Sequence, residues 1–205
     1  ARALAQGAGW LGSPQIREVA TIGGNVVNAQ PAADTSVPLV TLGARARLVS
    51  AEGAREAAVE ELFLGVGRSA VNPTREVITH FLVPACPAPR QASAMQRMSR
   101  RKAFTLPLLS SAVRVEMVED GRRFNRVRLA VAPVAPVPWL AARAQDHLCG
   151  AEATLDNISR AAVLAREDAQ PRDSLRGGAE YRRRMVEVLV RRALVEALSQ
   201  LNQVA

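Results

Sequence analysis

Residues 20–25, Ala-Thr-Ile-Gly-Gly-Asn, followed by Pro31-Ala32-Ala33-Asp34, hold the residue types in this chain best suited to binding chemistry. The adjacent Gly23 and Gly24 carry no Cβ to keep an anion away from the backbone. They also permit positive φ angles, so that successive N–H groups can turn toward one phosphate. Thr21 and Asn25 flank the pair with short polar side chains able to complete a phosphate or ribose site. Asp34 stands nine residues after Asn25, just before an apolar run, where it could cap a helix or hold a ribose hydroxyl. A Gly-Gly-Asn triplet is also a common turn.

Other chemistries find little support. Cys86 and Cys149 are isolated, whereas an iron–sulfur cluster takes four cysteine ligands. His80 and His147 have no companion ligand nearby in the sequence, so a metal site has no basis. No Ser-His-Asp or Cys-His arrangement stands out. The chain carries 27 basic and 19 acidic residues, a net charge of +8, and almost all of the positive charge is arginine, with Lys102 the single lysine. A basic nucleic-acid-binding module is one reading of that charge. Scarce aromatics, 3% of residues, and arginines interspersed with Glu favour Arg–acid pairs or an acidic partner subunit instead.

The elements that would position the glycine segment follow from pattern and punctuation. Residues 35–42 have helical character, with Pro38 near the first turn and Gly43 as a C-cap. Residues 44–50 alternate as a half-exposed strand does, Glu52-Gly53 is a turn, and residues 59–64 form a short helical turn that delivers Phe63 to the core. Residues 76–83 read as a strand. Pro84-Ala85-Cys86-Pro87-Ala88-Pro89 can continue neither a helix nor a central strand, and marks a boundary between units 1–89 and 90–205. In the second unit, residues 108–118 and 124–132 form a hairpin about Glu119-Asp120-Gly121. Val113, Val115 and Met117 lie on one face of the first strand, and Val127, Leu129 and Val131 on a common side of its partner. Helices are predicted over 139–148, 156–166 and 179–201. The last places Tyr181, Met185, Val188, Leu189 and Ala193 inward and Arg182, Arg183 and Arg192 toward solvent. The fold class is α+β, with an antiparallel sheet whose helices pack on one face. No run of eighteen apolar residues or secretory signal is visible.

Several motifs, in order, resemble the FAD-carrying medium subunit of the molybdenum hydroxylases, the family of xanthine dehydrogenase and carbon monoxide dehydrogenase. They are Pro14-Gln15-Ile16-Arg17, the 20–25 segment and Pro31 to Asp34. Phe63-Leu64-Gly65, Asn72-Pro73 and Glu76-Val77-Ile78 follow, then the basic turn Arg100-Arg101-Lys102. Pro171-Arg172-Asp173-Ser174-Leu175-Arg176-Gly177 and Glu180-Tyr181-Arg182-Arg183 close the series. The resemblance implies a partial FAD-binding (PCMH-type) subdomain followed by the small α+β domain. Thr21, Ile22, Gly23, Gly24 and Asn25 would contact the pyrophosphate and nearby flavin atoms, and Asp34 the adenosine or ribityl side. Val71 takes the place of a leucine whose backbone approaches the isoalloxazine ring.

The pattern also departs from the family. Gln96 stands where some members carry a lysine, leaving Arg97 or Lys102 to supply the charge. Thr105 replaces an aspartate and Leu11 an aromatic. The family's first glycine loop is not present. The chain opens with Ala inside an apolar helix around Ala3-Leu4-Ala5, and the natural subunit is expected to start earlier and to complete the FAD site. The implied function is a cytoplasmic electron-transfer flavoprotein subunit. A large partner would carry the molybdenum cofactor and a small partner two [2Fe–2S] clusters, the three subunits doubling into a dimer of heterotrimers. The alternative is a structural subunit that has lost its flavin.

Overall fold

A computed structural model describes residues 1–87, 89–101, 105–175 and 177–202. The first unit opens with three helices, α1 (Arg2–Trp10), α2 (Pro14–Val19) and α3 (Ile22–Val27), followed by α4 (Ser36–Leu42). Its strands are β1 (Arg45–Ser50), β2 (Gly53–Ala58) and β5 (Val77–Leu82), in the antiparallel order β2-β1-β5, plus the small hairpin β3 (Phe63–Gly65) and β4 (Arg68–Ser69). β1 alternates as its sequence predicts. Ala46 and Leu48 are buried while Arg45 and Arg47 face out and meet Glu56 of β2. The 3₁₀ turn Val59–Leu62 precedes Phe63, which enters the core.

The second unit is built on a four-stranded antiparallel sheet, β6 (Gln91–Met98), β7 (Leu109–Met117), β8 (Phe124–Ala132) and β9 (Trp139–Leu140), in that spatial order. Its own helices, α5 (Ala142–Leu148), α6 (Leu155–Asp168) and α7 (Ala179–Asn202), lie on one face. Val113, Val115, Leu129 and Val131 pack there against Ile158, Val186, Leu189 and Val190. The opposite face presents small residues, Ala112, Ala130 and Ala132, together with Met95, and receives α1 and α4 from the first unit. Two covered faces explain why β7 is buried almost along its whole length instead of alternating.

All seven residues of α4 are buried. A helix end buried in this way must find partners for its last carbonyls. Gly43 adopts the left-handed conformation at φ 68°, and its N–H returns to the Leu39 and Val40 carbonyls. Two guanidinium groups from the sheet do the rest: Arg114 donates to Leu42 O (3.0 Å) and Arg128 to Val40 O (3.0 Å). Cations at a helix C-terminus are also favoured by its dipole. Elsewhere the arginines pair with acids, as their sequence neighbours suggest, among them Arg55–Glu76, Arg90–Glu119, Arg128–Glu60 and Arg166–Glu187.

Three details differ from the sequence reading. Residues 139–148 are a short strand and then a helix, not one helix. The stripe of α7 that faces the sheet is rotated, with Val186, Val190, Leu194 and Ala197 buried and Tyr181 50% exposed. Arg182, read as solvent-facing, is only 4% exposed, because it heads that buried stripe one turn before Val186.

Candidate functional site

Ser13 caps α2 by accepting the Ile16 N–H, with Pro14 opening the helix. Eight residues later Thr21 caps α3 in the same way, its Oγ accepting the Gly24 N–H at 2.9 Å. The expected positive-φ bend is therefore not what forms. Gly23 and Gly24 lie in the first turn of a short helix, and neither has a positive φ. Capping by Thr21 and anchoring by the fully buried Val26 outweigh the low helix propensity of glycine. The helix start leaves main-chain donors of its own. The N–H groups of Ile22 and Gly23, at the start of the helix, have no acceptor within it. A Cβ on Gly23 would make only ordinary contacts, with Ile78 and Thr21 at 3.8 Å and beyond.

Asn25 ties this helix to the next. Its Oδ1 accepts both the N–H (3.1 Å) and the hydroxyl of Thr35, the N-cap residue of α4. Asp34, next to Thr35, does not cap α4. Its carboxylate lies 3.0 Å from Arg97 Nε on β6, with both side chains 4% exposed. The Nε–H is not directed at the carboxylate oxygen, so charge holds the pair in the absence of an aligned hydrogen bond. Burial raises the Asp34 carboxyl to about 6, and the Arg97 guanidinium only partly counters it.

Two neighbouring cavities meet at these residues. The first, about 600 Å³, is lined by Thr21, Gly24, Asn25 and Asp34 on its polar side and by Leu11, Ile16, Val19 and Leu106 on its apolar side. The second, about 530 Å³, shares Leu11, Asn25, Asp34 and Leu106 with it and runs toward the turn at 133–136 and to Gln170, Ser174 and Arg182 of the second unit. The fold thus brings Thr21, Gly24, Asn25 and Asp34 to one cleft. Ile22 and Gly23 adjoin it within α3. Val71 stands apart, its side chain 3% exposed in the first core and its N–H taken by Ser69 Oγ. Arg97 lines neither cavity. Gln96 turns away to Glu196 of α7. Lys102 lies outside the described residues, while its neighbours Arg100 and Arg101 stand with Arg97 and Trp10 around a third cavity of about 560 Å³.

Sequence reasoning missed Arg182 and Ser174. Arg182 donates to the Arg172 carbonyl (3.1 Å) and to Ser174 Oγ from the wall of the second cavity. The missed signal was an arginine spaced by four from Val186 and by eight from Val190 on an otherwise apolar stripe.

Residues 1–86 match the family model described as FAD binding domain in molybdopterin dehydrogenase, and residues 94–197 match the CO dehydrogenase flavoprotein C-terminal domain. The chain belongs to the flavoprotein medium-subunit family of the xanthine and carbon monoxide dehydrogenases. Among these flavoprotein subunits it is 26% identical over 197 residues to the putative xanthine dehydrogenase FAD-binding subunit of Escherichia coli (strain K12), covering 96% of this chain and 66% of that one. It is 30% identical over 187 residues to the carbon monoxide dehydrogenase medium chain of Afipia carboxidovorans, covering 91% and 63%. The solved carbon monoxide dehydrogenase from Hydrogenophaga pseudoflava superimposes with a TM-score of 0.89 at 28% identity, over 97% of this chain and 68% of that one. The chain therefore spans about two thirds of the length of these flavoprotein subunits. Among the described residues no helix is long and apolar enough to cross a membrane, and no three His, Cys, Asp or Glu side chains gather as metal ligands.

Proposed function

We propose that this chain holds FAD as part of the electron-transfer flavoprotein subunit of a molybdenum-containing hydroxylase or dehydrogenase. The observation that carries the reading is the meeting of the Thr21-capped helix start and the buried Asp34 at one cleft, in a chain whose first 86 residues match an FAD-binding domain. The residues present fit the group. A dinucleotide needs fixed N–H donors for two phosphates, an acceptor for sugar or ribityl hydroxyls, and apolar walls. All three meet here.

In this reading the Ile22 and Gly23 N–H groups donate to phosphate oxygens. The absent side chains of Gly23 and Gly24 let those oxygens approach the backbone. The Thr21 hydroxyl accepts from Gly24 and so has its own proton to offer a ligand. Asn25 presents its amide nitrogen while its oxygen is held by Thr35. Asp34 accepts from a hydroxyl, and Leu11, Ile16, Val19 and Leu106 exclude water. When bound, FAD supplies the redox chemistry, linking [2Fe–2S] clusters of a small partner subunit to an external acceptor such as NAD, a quinone or oxygen. Substrate oxidation belongs to a molybdenum cofactor in a large partner subunit. No side chain of this chain acts on the substrate. The units 1–89 and 90–205 serve as the second FAD-binding subdomain and the C-terminal α+β domain of a flavoprotein subunit within a cytoplasmic dimer of heterotrimers.

The test is the visible absorption spectrum of the purified complex before and after supply of FAD. Stoichiometric flavin bands are expected. Their absence after reconstitution overturns the reading and leaves a structural subunit that has lost its flavin.

A further inference from the structure

Arg97 was a candidate to place positive charge against the dinucleotide phosphates, and its surroundings assign it a different task. Asp34 lines both cavities of the cleft, and Arg97 lines neither. The guanidinium lies behind the carboxylate, 3.0 Å from it, with a second nitrogen donating to the Thr105 carbonyl. The pair joins the loop before α4 to β6, and so the first unit to the second. Resting on the flavin reading of the cleft, we propose that Arg97 is a positioning residue that keeps Asp34 ionised and presented to the ligand as a hydrogen-bond acceptor, without touching the ligand itself.

The electrostatics around Asp34 leave Arg97 as its close counter-charge. Neither α3 nor α4 contains an ionisable residue, and the one on α1, Arg2, pairs with Glu196. Arg172 and Arg182 line the second cavity with Asp34, and Arg182 is bonded to the Arg172 carbonyl and to Ser174. With Arg97 gone, burial is unopposed and the carboxyl holds its proton at neutral pH. It then offers an O–H where a ligand hydroxyl needs an acceptor.

The test follows the Asp34 side-chain carboxyl by ¹³C NMR across pH, alongside FAD affinity, in wild type, Arg97→Met and Arg97→Lys. In Arg97→Met the Asp34 midpoint rises by about one pH unit or more. From a starting value of about 6, a rise of one unit lowers FAD affinity at pH 7 by about twofold and a rise of two units by about tenfold, and the loss recovers at higher pH. Arg97→Lys restores both toward wild type. An unmoved Asp34 midpoint, or a loss of affinity equal at every pH, overturns the proposal. If wild type binds no FAD while the midpoint moves as expected, the flavin reading falls and the coupling of the two residues stands. Should Arg97→Met fail to fold, the double variant Asp34→Asn/Arg97→Gln replaces the charges by amides. It is expected to bind FAD with no pH step near 6, and a retained step overturns the proposal.

Discussion

Gly7 of α1 faces the main-chain carbonyl of Asp34 so closely that a methyl group on it would stand 2.4 Å from that oxygen, and 3.2 Å from Met95 and Pro38. Helix α1 is thereby the rear support of the Asp34 loop, and its approach distance is set by a missing side chain. Gly7→Ala is expected to destabilise the fold by about 1–3 kcal/mol, because a backbone carbonyl cannot step aside as a flexible side chain can. The loss occurs even though alanine is the better helix former. Denaturant unfolding measures it, and a stability equal to or above that of wild type contradicts the packing described.

The Asp34 carboxyl gives stability a pH dependence of unusual sign. Its folded value is about 6, raised by burial against the opposing pull of Arg97, whereas its ordinary value is 3.8. Below about pH 4 both folded and unfolded chains hold the proton. Through the window up to 6 the folded chain binds more protons than the unfolded one, so the stability contributed by this group is lost as pH rises. The size is about 3 kcal/mol at most. Unfolding measured from pH 4.5 to 7.5 is expected to show this decline, and Asp34→Asn to remove it. A flat profile in wild type sinks the prediction.

Glu76 acts in the opposite direction and in a lower window. Its carboxylate is held at about 2 by the hydrogen bond from Arg55, at 2.6 Å, and next by the Asn72 N–H. A depressed folded value means a contribution present above the ordinary 4.5 and lost as pH falls toward 2. Because the Arg55 side chain is 45% exposed, solvent screens the pair. Glu76→Gln is expected to cost about 1 kcal/mol or less at neutral pH. Its acid unfolding curve should lack the part of the slope between pH 4.5 and 2. A variant indistinguishable from wild type below pH 4 would remove Glu76 from the acid response.

Legibility in the sequence tracked how far local signals decide. Helix α4 with Gly43, strand β1, the β7–β8 hairpin and helices α6 and α7 follow from apolar period and turn residues, and all form near their predicted bounds. Strand β6 left no such mark. Its residues, Gln-Ala-Ser-Ala-Met-Gln-Arg-Met, include no β-branched side chain, and it is a strand because β7 pairs with it and α1 and α7 cover it. In the candidate site, the glycine segment stood out in the sequence, but its geometry did not. The Thr21 cap makes a helix start where two glycines alone suggest a bend. Arg97 and Arg182 were legible as charges, yet the burial of Arg97 depends on how the two units meet and that of Arg182 on the face that α7 turns to its sheet.

That helix start yields the last prediction, which separates folding from binding. Neither Gly23 nor Gly24 has a positive φ, so backbone conformation demands glycine at neither position. A Cβ on Gly23 meets Ile78 at an ordinary 3.8 Å, whereas one on Gly24 meets Thr21 Oγ at 3.1 Å and crowds the cap. Gly23→Ala is therefore expected to keep or raise stability, by up to about 1 kcal/mol, since alanine costs less chain entropy in a helix. Gly24→Ala should lose up to about 1 kcal/mol through the disturbed Thr21 bond. If the glycines are there to admit phosphate oxygens, both variants lose FAD affinity, and Gly23→Ala does so while gaining thermal stability. Flavin content and Tm measured on the same preparations make the distinction. Full flavin occupancy in a stabilised Gly23→Ala protein would show that the bare backbone at this position is not what the ligand requires.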